Sequence, residues 1–168
     1  MPAADELIRH LGLVPHPKEG GFFRETYRSA QSYSGLPTRY HGPRSAGTAI
    51  YYLLTPTTFS ALHRLQSDEI FHFYLGDPVR MLQLDPDGQG RTVVLGSDVL
   101  NGQHLQIVVP RGIWQGSLLE PGGAFALLGC TVAPGFEYID YEAGNRQALL
   151  AQYPVFADLI KKLTPVYV

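Results

Sequence analysis

The stretch HRLQSDEIFHFYLGD, residues 63–77, decides both how this chain folds and where its chemistry sits. His63 and Leu65 alternate onto one face of a strand, and a short turn follows. After the turn, Asp68, Ile70, His72 and Tyr74 share one face, while Glu69, Phe71, Phe73 and Leu75 share the other. Asp68 or Glu69 can therefore return beside His63. Imidazole next to carboxylate is the arrangement that binds a divalent metal or orients a general base.

The pattern continues outward from this stretch. Strand-like runs fall at 48–54, 59–65, 70–75, 79–84, 91–94, 106–109, 116–119 and 125–132, punctuated by Gly, Pro, Asp or Asn. No helical pattern intervenes, which predicts a sandwich or barrel rather than a βαβ fold. FFRETYR (22–28) also reads as a strand, with Phe23, Glu25 and Tyr27 on one face and Phe22, Arg24, Thr26 and Arg28 on the other. PDGQG (86–90) is a hairpin turn. Residues 29–45 form a loop long enough to suggest function or flexibility. Helical spacing is confined to the ends, at about 3–13, 145–153 and 155–163. Leu149, Leu150, Phe156, Ile160 and Leu163 would hold the C-terminal helices on the outside of the barrel.

A chain of 168 residues fits one domain, 1–168, with the barrel at about 20–142. Its 45% hydrophobic and 17% charged residues are those of a folded globule. A net charge of −2, a pI near 6.3 and the lack of any Lys or Arg cluster argue against a nucleic-acid partner. No apolar run approaches the ~18 residues of a membrane span. The N-terminus lacks the apolar core of a signal peptide, so a cytoplasmic soluble protein is expected. Cys130 is the single cysteine. It excludes an intrachain disulfide and a cysteine zinc site, and its apolar surroundings predict a buried thiol.

A second informative stretch is VVPRGIWQGS, 108–117, where Pro110 and Gly112 turn the chain before Trp114 and Gln115 begin a new strand. Together with 63–77 it resembles the two cupin motifs. His63 matches the first ligand histidine, Glu69 the glutamate and Gly76 the closing glycine; Pro110 and Gly112 match the second turn. Leu65 and Gln115 stand where two further histidines belong, and Leu119 replaces an asparagine. EGGFFRETYR (19–28), GTAIYYLL (47–54), SDEIFHFYLGDP (67–78) and APGFEYIDYE (133–142) narrow the likeness to the cupin-5 family of unknown function.

That resemblance implies an all-β double-stranded β-helix, or jelly-roll barrel, with short flanking helices, a homodimer and a barrel pocket for a small molecule. It also implies likeness in shape to dTDP-sugar 3,5-epimerases, which work without metal through a histidine base and a tyrosine acid. The expected function is a metal-independent isomerase or epimerase acting on a carbohydrate-like or nucleotide-linked substrate. His63 would be the base, Glu69 or Asp68 its orienting carboxylate, a tyrosine such as Tyr52 the acid, and Gln115 a substrate contact. His72 joins this catalytic set if a bulge turns it inward beside Glu69. Trp114, Glu25, Tyr27 and Asp68 are the further binding candidates. No cofactor is expected. The alternatives are a non-catalytic metabolite-binding module, or a divalent-metal cupin using His63, Glu69, His72 and Gln115. Asp140, with Glu137 and Glu142, reads as an acidic face meeting water.

Overall fold

From Thr48 onward the chain passes back and forth between two facing sheets, with the hairpin Val79–Leu84 and Gly90–Leu95 staying within one, the winding of a jelly roll. A computed structural model describes residues 3–165. One sheet is ordered Val14–Pro15, Phe22–Arg28, Thr48–Leu54, Ala126–Ala133, Asp68–Gly76 and Gln106–Val109. The other is ordered Glu142–Ala143, Phe59–Arg64, Trp114–Leu119, Val79–Leu84 and Gly90–Leu95. Their ladders are antiparallel.

Inward positions of both sheets meet in a core built around Tyr52, Phe71, Phe73, Met81 and Leu128. The backs of the sheets are covered too. Helix Ala4–Leu11 lays Leu7, Ile8 and Leu11 against Leu53, Phe125 and Leu127 of the six-stranded sheet. Helices Arg146–Gln152 and Ala157–Leu163 press Leu149, Ile160 and Leu163 onto Leu62, Leu82, Leu84 and Trp114 of the five-stranded one. Among the described residues no helix is long and apolar enough to cross a membrane. Gly76, the closing glycine of the first motif, has φ +103° and lies against the Phe125 carbonyl, where a side chain would clash.

Two local irregularities decide which side chains face inward. In the strand Phe22–Arg28 the register shifts between Glu25 and Tyr27, so Arg28 pairs with Thr48 and joins Phe23 and Glu25 on the inner face. Tyr27 is left 56% exposed outside, against the expected alternation. In Asp68–Gly76 the shift lies opposite Leu127/Leu128, beyond His72, and leaves the parity between Glu69 and His72 untouched.

The 29–45 segment is pinned rather than free. Its short strands Ser32–Tyr33 and Arg44–Ser45 pair with each other. The Arg44 guanidinium binds both Asp140 carboxylate oxygens, at 2.7 and 2.6 Å. Its third nitrogen donates to the carbonyls of His41, Gly42 and Pro43. Tyr40 adds bonds to the Gln66 carbonyl and the Ser67 hydroxyl. Asp140 is therefore buried, contrary to the acidic-face expectation, because a fully paired guanidinium travels inside with it. Glu137 and Glu142 remain at the surface in ion pairs with Arg28 and Arg64.

Candidate functional site

A cavity of about 150 Å³ opens between the sheets on the side of the Thr48–Leu54 and Asp68–Gly76 strands. His16, Thr48, Glu69 and Cys130 are its buried polar lining and Glu19 a partly buried one; Phe23, Ile50, Leu65 and Val132 are its apolar walls. Glu25, Arg28, Glu137 and Tyr138 ring the more exposed edge.

The polar end is built by register. Gln115 pairs across strands with His63, which aligns the two side chains on the inner face of the five-stranded sheet. The Gln115 amide N–H group donates to Glu69 Oε2 at 2.5 Å and lies 3.5 Å from His63 Nε2. His63 Nδ1 meets the Ala61 carbonyl at 2.7 Å. A carbonyl only accepts, so the proton sits on Nδ1 and the Nε2 lone pair faces Gln115 and Glu19, whose Oε1 is 3.8 Å away. His16 carries the opposite tautomer. Its Nδ1 accepts from the backbone N–H groups of Lys18 and Glu19, at 3.3 and 2.8 Å. The Nε2–H therefore points at Glu19 Oε1, 3.6 Å away.

Charge is disfavoured throughout this cluster. Burial pushes both Glu19 and Glu69 up to about 7; the negative charge of Glu19 adds to the rise at Glu69, and His63 and Gln115 work against it. His16 is lowered to about 4 by burial and then by His63. His63 is also lowered by burial, against the pull of Glu69. Burial raises the Cys130 thiol, which hydrogen-bonds Glu69.

Of the residues singled out in the sequence, His63, Glu69, Gln115 and Tyr52 come together. Tyr52 is buried and donates to the Gly20 carbonyl at 2.8 Å, so its hydroxyl is held by backbone beside Glu19. His63 does not line the cavity; it lies behind Glu19, stacked on Tyr141 with ring centroids 4.9 Å apart. Glu25 reaches the cavity edge.

Four others lie elsewhere. His72 is on the outer face, between Thr131 and Gln106 and stacked on Tyr74, because no bulge lies between Glu69 and His72. Asp68 accepts from the Arg111 N–H at 2.8 Å and steadies the turn there. Trp114 packs into the helix layer beneath the Arg64 guanidinium, 4.5 Å from the ring centroid. Tyr27 faces outward beyond the bulge. His72→Ala is accordingly expected to change stability by no more than about 0.5 kcal/mol and to leave ligand binding in the cavity unchanged, as calorimetry would show.

Sequence reasoning passed over Glu19 and His16, which sit outside the alternating segments. The available signal was Gly20–Gly21 immediately after Glu19, both with positive φ. Gly20 runs so close to the Phe59 carbonyl that only glycine fits. That approach delivers Glu19 into the barrel.

The usual cupin metal set is not reproduced. Leu65 contributes only carbons, Gln115 directs its N–H groups at Glu69 and His63, and His72 is outside. Among the described residues no group of three or more His, Cys, Asp or Glu is arranged to hold an ion. The donors present do not fit that metal.

Fold and interior define a jelly-roll barrel of the cupin architecture. The chain belongs to the family described as Cupin superfamily (DUF985), which it matches over residues 5–144. It is 32% identical to an uncharacterized protein of Saccharomyces cerevisiae, over 81% of this chain and 72% of that one. A structure from Shewanella oneidensis is 36% identical with a TM-score of 0.87, covering 99% of this chain and all of its own. A hypothetical protein from Leishmania major is 35% identical with a TM-score of 0.88, covering 98% of this chain and 100% of its own. Oxalate decarboxylase shares the fold at 15% identity and a TM-score of 0.55, with 92% of this chain lying on 38% of that one.

Proposed function

We propose that the cavity binds a small molecule and that Glu19 and Glu69 move a proton on it, as a metal-independent isomerase or epimerase does. One observation carries this reading: two carboxyls held near neutral titration line the same cavity. At neutral pH such a pair holds about one proton between its members, so a base and an acid are both ready. The base assigned to His63 from sequence moves to the carboxyls, since they reach the cavity and His63 does not. His63 and Gln115 then act as positioning residues, fixing Glu69 through the Gln115 amide.

Size narrows the ligand. A void of about 150 Å³ accepts a body on the scale of a benzene ring. A nucleotide-linked sugar could place no more than its sugar ring inside. Short aldoses, ketoses and hydroxyketones incubated with the protein in D₂O are expected to exchange the hydrogen α to the carbonyl, followed by NMR. Exchange should persist in His72→Ala and vanish in Glu69→Gln and Glu19→Gln. Ligand binding without exchange in any of these compounds would make the protein a non-catalytic binding module and overturn the proposal.

A further inference from the structure

The charges around the cavity do not balance. Glu19, Glu25, Glu69 and Glu137 line it, and Arg28 is the one Lys or Arg among its described lining residues. Arg28 is already taken. It pairs with Glu25 at 2.9 Å and Glu137 at 2.8 Å, and donates to the Phe136 carbonyl at 3.1 Å. Lys18 lies over the rings of Tyr138 and Tyr141, 5.4 and 5.5 Å from their centroids, and does not line the cavity.

Apart from each other, the inner acids, Glu19 and Glu69, consequently meet side chains that are uncharged at neutral pH. These are the Gln115 amide, the Ser60 hydroxyl, the Cys130 thiol and the imidazoles of His16 and His63, with the Tyr52 phenol close by. Such carboxyls gain most from a ligand that brings its own positive charge. Phe23 on the wall adds an aromatic ring of the kind that attracts cations. An entering carboxylate or phosphate would meet acids that no cation balances and an arginine already paired with two glutamates.

We infer that the cavity takes a small organic cation, a primary ammonium on a short apolar body, with its nitrogen at Glu19 and Glu69. The inference rests on the reading of this cavity as the ligand site and adds the ligand's charge. It separates this barrel from cupins acting on anionic substrates. One carboxylate would balance the ammonium while the other remains available to accept a proton.

Three probes sharing one ring test it: cyclohexylamine, cyclohexanol and cyclohexanecarboxylate, titrated calorimetrically at pH 7 in buffers of different ionisation heat. The amine is expected to bind at least ten-fold more tightly than the alcohol, and the carboxylate not at all. Amine binding should release protons to the buffer, because it converts neutral carboxyl to carboxylate. Affinity for the amine should fall at least ten-fold in Glu69→Gln and in Glu19→Gln, each verified as folded by its thermal transition, and hold in His72→Ala. An alcohol or carboxylate that binds as tightly as the amine overturns the charge inference and leaves a small-molecule site standing. Silence of all three on folded protein overturns the charge inference, and hydrogen exchange of the hydroxyketones in D₂O decides separately whether the ligand site stands.

Discussion

Replacing Asp140 by Ala is expected to cost about 3–5 kcal/mol of folding stability, seen as a lower denaturation midpoint at constant slope. In thermal unfolding the fall should be roughly 10 °C for a chain of this size. The side chains of Arg44 and Asp140 are 2% and 4% exposed and bind in a two-pronged geometry. Removing the acid strands a guanidinium that no longer reaches water, with three backbone carbonyls as its remaining acceptors. The double variant Arg44→Met/Asp140→Leu should recover most of the loss, since it buries no charge. A cost below about 1 kcal/mol for Asp140→Ala would mean that water reaches the pair. The consequence extends to the cavity, because the bond ties segment 29–45 to the stretch that carries Phe136, Glu137 and Tyr138.

The second large effect belongs to Glu69→Gln. On the proposed chemistry it should slow proton exchange by about 10²–10⁴-fold, the usual worth of a positioned acid or base. It should also change how stability follows pH. Glu19 and Glu69 titrate at about 7 when folded and near 4.5 when free. The folded state therefore holds the extra protons between these values. The stabilisation from the neutral carboxyls is complete below pH 4.5 and is lost as pH rises through 7. His16, moved from 6.5 to about 4, does the reverse: its contribution is present above 6.5 and disappears as pH falls through 4. His63 is shifted in the same direction as His16.

These gradients oppose one another between pH 4.5 and 6.5, so the wild-type stability should change less steeply with pH there than it would for the carboxyls alone, and decline above 6.5. Taking away one carboxyl leaves the histidines less opposed. Glu69→Gln should then gain stability from pH 4 to 6.5 and exceed the wild type at pH 8 by up to about 3 kcal/mol. Urea titrations across pH 4–8 read this directly. A wild-type stability that climbs steadily to pH 8 would show that the carboxyls ionise as exposed ones do, and would remove the acid–base pair.

Much of the architecture was legible along the chain. The strands at 48–54, 79–84 and 106–109 have the boundaries that their strand-like runs and flanking turn residues indicated. The places of Glu69 and Gln115 came from the resemblance to the two cupin motifs rather than from alternation, and the structure brings Gln115 against both Glu69 and His63. Trp114 could be read from sequence as a stacking platform or as a core or interface aromatic, and it is buried in the apolar layer under the helices. The five-stranded sheet is covered by helices on its back, so apolar residues occupy both faces and alternation stops distinguishing inside from outside. The sides taken by Tyr27 and His72 depended on whether a single extra residue enters the ladder before or after them.

Local periodicity, turn chemistry and the two motif segments thus determined the jelly roll, its flanking helices and half of the polar cluster, because those properties act between near neighbours in the chain. Only the folded barrel decided that Glu19 and His16 complete the cluster, that His63 stands behind the cavity, and that Asp140 is buried under Arg44. Each of these depends on segments distant in sequence being brought together. Burial there raises the cost of charge and sets the protonation of every group in the site, and no single segment encodes that environment.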